Sequence, residues 1–135
     1  MRKRKPNKIV EQQYIDQGSV CLYCNDPTPY EDITRDHFHP KSKGNTFVAN
    51  KVFCCLRCNC DKDIMDIYEF HAFTLERIRE ILRKCIEQGW KISEEQLSTF
   101  RYLTRRLKAT GKIIEGGGQP SILFTWFSGI LTRKC

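Results

Sequence analysis

Cys21-Leu22-Tyr23-Cys24 and Cys55-Leu56-Arg57-Cys58 form two Cys-x-x-Cys pairs, and Asp36-His37 stands between them. A Cys-x-x-Cys turn brings two thiolates to one ion, and two such turns complete a tetrahedral Zn²⁺ shell. That shell is coordinatively full, so the ion it predicts is structural and has no place for water or substrate. Reactive chemistry then falls to the polar residues that the ion staples together: Asp36, His37, Asn50 and Asn59. A neutral imidazole near its ordinary pKa takes a proton from water at physiological pH, which makes His37 a candidate general base. Neighbours on a strand point to opposite faces, so Asp36 must do something else. Cys54 and Cys60 flank the second pair, but only Cys55 and Cys58 repeat the gap of Cys21 and Cys24. Cys54 is expected as a small buried apolar residue on the approaching strand.

The order Asp36-His37-x-x-Pro40-x-Ser42-Lys43-Gly44, then Asn50, then Cys55-x-x-Cys58-Asn59-x-x-Lys62, resembles the HNH endonuclease family, also called His-Me-finger or ββα-metal nucleases. The likeness runs from Cys21 to Lys62; the flanks resemble no family. It implies an α+β fold: a small zinc-stapled ββα-metal core with helical N- and C-terminal flanks. His37 would be the general base for phosphodiester hydrolysis. Asp36 and Asn59 would ligate one catalytic Mg²⁺ or another hard divalent ion, leaving most of its shell to water and phosphate. Asn50 would orient the histidine from beside the metal rather than bind it. Lys43 and Lys62 are candidate phosphate contacts.

Several elements must position these residues. Asn7 reads as the cap of a short helix ending at Gly18. Ile33 to His37 reads as the first strand of a hairpin, Gly44-Asn45 as its turn, and Asn50 to Cys54 as the return. A helix is expected from about Cys58 toward Phe70. Thr74 is expected to cap a second helix with Leu75, Ile78, Ile81, Leu82, Cys85 and Ile86 on one face, stopped by Gly89. Ser93 opens another, with Gln96 completing a capping box and Leu97, Phe100, Leu103 and Leu107 facing inward. Its other face carries Arg101 and Arg105, candidate substrate contacts, although basic residues also suit the last turns of any helix. The chain thus divides into a basic arm and short helix (1–18), a nuclease core with structural zinc (19–72), a helical extension (73–114), and a Gly linker with an apolar tail (115–135).

The chain of 135 residues carries a net charge of +7, divided as +3 over residues 1–18, +1 over 19–62 and +3 over 63–135. Basic flanks around a nearly neutral centre suit a polyanion gripped outside and cut inside, though a basic soluble protein would show the same totals. The amino terminus is basic and then polar, without the apolar core of a signal peptide, and paired Cys-x-x-Cys spacing favours a reducing, cytoplasmic setting. No apolar run is long enough to span a bilayer. The expectation is therefore a metal-dependent DNA endonuclease. Its rival is a zinc-containing nucleic-acid-binding module without turnover, which would have no need of Asp36, His37 and Asn59 together. Candidate protein partners are a second copy of the chain, or a phage or mobile-element protein.

Overall fold

A computed structural model describes residues 3–40 and 51–119. The first helix, α1 (Lys8–Gln17), opens where Asn7 Oδ1 accepts from the Ile9 and Val10 amides at 3.1 Å each. It closes at Gly18, whose φ of 108° no β-carbon would favour. Tyr14 is its one buried residue, with its ring 5.2 Å from that of Phe53.

A single 3₁₀ turn at Tyr30–Asp32 leads into β1 (Thr34–His37), which pairs antiparallel with β2 (Lys51–Cys54). The register sets Thr34 opposite Cys54, Arg35 opposite Phe53, Asp36 opposite Val52 and His37 opposite Lys51. A two-stranded ribbon is marginal alone and leaves an open edge. Here Gln17 closes part of that edge: its Nε2 donates to Phe53 O at 2.8 Å and its Oε1 accepts from Phe53 N at 2.9 Å. Cys54 is fully buried at the end of β2, as its apolar surroundings require.

The helical part departs from expectation in two places. The run from Cys58 toward Phe70 is two helices, α2 (Leu56–Lys62) and α3 (Ile67–Glu87), because Asp63 takes φ 47° and ψ −121° and breaks the ladder. The cap of α3 is Asp66, in a reciprocal box with Glu69, and not Thr74. Thr74 lies mid-helix, fully buried, with its hydroxyl donating to Phe70 O at 2.7 Å. α4 (Glu94–Glu115) begins with the Ser93–Gln96 box and packs back along α3, so that Thr110 meets His71. Gly111 lets the two helices approach closely at that level: a β-carbon there would stand 3.4 Å from the His71 ring.

One continuous core joins the hairpin to the helices. Tyr23, Phe38, Val52, Phe70 and Leu103 are all fully buried in it, beside the cysteines. At the far end of α3 the expected apolar face is only partly covered, with Leu82 37% and Ile86 57% exposed. No helix among the described residues is long and apolar enough to cross a membrane. The hairpin turn at Gly44-Asn45, Lys43, Asn50 and the apolar tail lie outside the described residues.

Candidate metal centre and active site

Two loops bring the four thiols together. Cys21 and Cys24 lie in the turn after α1, where the Asn25 amide donates back to Cys21 O at 2.9 Å. Cys55 is the N-cap of α2, and Cys58 stands in its first turn with its amide donating to Cys55 Sγ at 3.4 Å. The four sulfur atoms all lie within 4.8 Å of one another, and Cys24 Sγ is 3.9 Å from Cys55 Sγ. A tetrahedron of Zn–S bonds needs sulfurs about 3.8 Å apart, so the donor set fits one tetrahedral ion. The structure brings Cys21, Cys24, Cys55 and Cys58 together in one group that could hold a metal ion, as their spacing led us to expect.

Asn59 and Lys62 of α2 both reach β1. Asn59 Nδ2 donates to Thr34 Oγ1 at 3.0 Å and to Arg35 O at 3.4 Å, which fastens the helix to the strand. Asp36 Oδ2 accepts from Tyr23 Oη at 3.0 Å and pairs with Lys62 Nζ at 2.9 Å. Burial, and then the Asp36 charge, push the Tyr23 phenol well above its ordinary range, so it remains a donor. Among the described residues, the hydrogen bond from Tyr23 and the ion pair with Lys62 both fall on Oδ2 of Asp36. His37, the next residue of β1, is half-buried.

Lys62 is not where a phosphate contact would be. Its side chain is 0% exposed, and besides Asp36 its ammonium donates to His37 O at 3.1 Å. The short helix α2 turns Lys62 into the protein, where Asp36 compensates its charge. Lys62 is therefore an internal strut of the Asp36-His37 strand, and the expectation of a direct substrate contact there is corrected.

Arg101 and Arg105 do lie together on the exposed face of α4, one turn apart. With Arg57 they line a groove of about 580 Å³ that also takes in Asp26, Asp32 and Glu94. Its walls include Cys24 and Cys55 but not Asp36, His37 or Asn59. These arginines thus flank the thiol cluster, while the Asp-His pair belongs to a separate stretch of surface.

Two residues went unnoticed in the sequence. Tyr102 Oη stands 2.9 Å from Cys58 Sγ, and Arg106 Nη1 donates to Tyr102 Oη at 3.0 Å and to Asp61 Oδ2 at 2.7 Å. Arg106 is fully buried, 4.5 Å above the Phe70 ring. Burial lowers its pKa, but the Asp61 carboxylate, Tyr102 and Cys58 more than offset this and raise it. The available sequence signal was position: both fall on the inward side of the α4 pattern, where an arginine is out of place.

Compared with known proteins, residues 21–66 match the family model described as HNH endonuclease. No curated protein and no solved structure matches the chain. The matched stretch is well under half of the chain and spans both Cys-x-x-Cys pairs, the strand pair and α2. Four clustered thiols, an antiparallel β1–β2 pair and a helix fastened to it by Asn59 thus make up the stretch that is similar to the HNH endonuclease family, within an α+β chain.

Proposed function

We propose that the protein is a metal-dependent endonuclease that hydrolyses DNA phosphodiester bonds. The observation that carries this reading is the β1–α2 junction, where Asn59 is hydrogen-bonded to the strand that bears Asp36 and His37. His37 takes the proton from the attacking water. Lys62 holds the strand in place through His37 O and Asp36. Asp36 and Asn59 each commit one polar atom to internal contacts, Oδ2 and Nδ2, which reserves their Oδ1 atoms for a hard divalent ion such as Mg²⁺. When bound there, such an ion neutralises charge on the reacting phosphate and on the leaving 3′ oxygen. The products would carry a 5′ phosphate and a 3′ hydroxyl. Asn50 is assigned to orienting His37, and Lys43, Arg101 and Arg105 to gripping the phosphate backbone. The four thiols hold a structural Zn²⁺.

Supercoiled plasmid incubated with the full chain and Mg²⁺ or Mn²⁺, with an EDTA control, tests the reading. Nicked or linear product is expected only with the added ion, and His37→Ala is expected to be slower by about a hundredfold or more. An equally fast His37→Ala protein would remove the histidine from the role given to it. Plasmid that is retarded but never cut would instead identify a zinc-containing binding module.

A further inference from the structure

Cys58 is the most deeply placed ligand of the thiol cluster on α2, and its surroundings are built by a helix outside the matched residues. Tyr102 is 5% exposed, and its hydroxyl lies 2.9 Å from Cys58 Sγ. One turn further along α4, Arg106 donates to the same hydroxyl oxygen at 3.0 Å. The guanidinium is held from three sides: Asp61 at 2.7 Å, Thr74 Oγ1 at 2.8 Å from Nε, and the Phe70 ring beneath it. Its Nη2 is buried without a hydrogen bond. A metal-bound thiolate has no proton to give. The phenol therefore donates to sulfur, and its oxygen lone pair receives Arg106. A four-thiolate site around a divalent ion carries two net negative charges, and the guanidinium end of the Arg106–Asp61 pair reaches the hydroxyl beside Cys58, while the 29% exposed Asp61 carboxylate is partly screened by water.

We propose that Tyr102 and Arg106 form the outer sphere of the metal centre: the Tyr102 hydroxyl donates to the Cys58 sulfur, and Arg106 aims that hydroxyl and offsets the charge of the thiolates. This rests on the reading that the four cysteines hold one divalent ion. It makes α4, which lies beyond the family match, a working part of the metal site. Both are positioning residues, since they touch a ligand rather than the ion.

The full chain is purified, its zinc content measured, and the zinc exchanged for Co²⁺, whose sulfur-to-metal charge-transfer band reports electron density on the thiolates. Tyr102→Phe keeps the ring that Arg57 covers at 3.8 Å and removes only the hydroxyl. Its Co²⁺ band is expected to move to lower energy, and its zinc to be held about tenfold more weakly against a competing chelator. Arg57→Ala, which uncovers the ring face and keeps the Tyr102 hydroxyl, is expected to shift the band less than Tyr102→Phe does. Circular dichroism of each variant checks that the helices persist. An unshifted band and unchanged affinity in Tyr102→Phe, in a parent that binds one ion per chain, overturn the outer-sphere assignment and leave the four-thiol site standing. A folded parent that binds no ion overturns both.

Discussion

Lys62 and Arg106 are both fully buried cations, one inside the family-matched stretch and one outside it, and they are buried in different ways. Lys62 has a carboxylate partner that is itself nearly enclosed, Asp36 being 12% exposed, and it also donates to the backbone of the strand carrying His37. Arg106 has a carboxylate partner with access to water, Asp61 at 29%, and shares its remaining donors among Thr74 and Tyr102. The first arrangement closes a charge pair beside the proposed cutting site. The second turns a guanidinium toward the hydroxyl that faces Cys58. Burial of a cation is thus used twice, once to stiffen a strand and once to serve a cluster of anions.

The largest effect that can test this contrast is removal of the ion that we propose the four thiols hold. A strong chelator is expected to cost on the order of 10 kcal/mol of coupled binding and folding free energy. Amide exchange should show protection lost in β1, β2 and α2 before α3. Equal loss everywhere would mean that the matched core and the helical flank do not differ in their dependence on the ion. Next in size is Asp36→Asn, which strands the Lys62 ammonium in a closed site and is expected to cost about 3 kcal/mol in urea unfolding. Arg106→Met should cost less, about 2 kcal/mol, because Asp61 can recover water. The reverse order would show that the Lys62 pair is the more open of the two.

The smallest effects come from the helix caps, where Asp66→Ala and Ser93→Ala should each cost about 1 kcal/mol. Their consequences for cutting should nonetheless differ. Asp66 follows directly on α2, and its loss is expected to lower plasmid cleavage. Ser93 opens α4 beside Glu94 of the groove that Arg101 and Arg105 line, and its loss is expected to lower cleavage less.

Local signals were read well from the chain. Asn7, Gly18 and the Ser93–Gln96 box act over three or four residues, and the structure has each of them as a cap. The thiol cluster was equally legible, because Cys-x-x-Cys spacing encodes its own geometry. Thr74 misled because a hydroxyl that caps a helix and one that bonds back within it look alike in sequence. The Asp66–Glu69 box, which settles where α3 begins, was passed over in favour of it. Lys62 was read as exposed because lysine usually is; only the pairing of Asp36 with it, 26 positions earlier in the chain, shows otherwise. The inward position of Tyr102 and Arg106 was legible in the α4 pattern, but their partner was not, since Tyr102 finds Cys58 across a separation of 44 residues.

The shortness of α2 gives these contacts a mechanical meaning. A helix of 7 residues has almost no stability of its own and nothing intrinsic to fix its rotation about its axis. Cys58 and Asp61 take hold of α4 from one side, through Tyr102 and Arg106, while Asn59 and Lys62 take hold of β1 from a side about a quarter turn away. The helix is keyed like a shaft between two fixed slots. A small slip of α4 would therefore twist α2 and pull the Asn59 amide from Thr34 and Arg35 on the strand that carries Asp36.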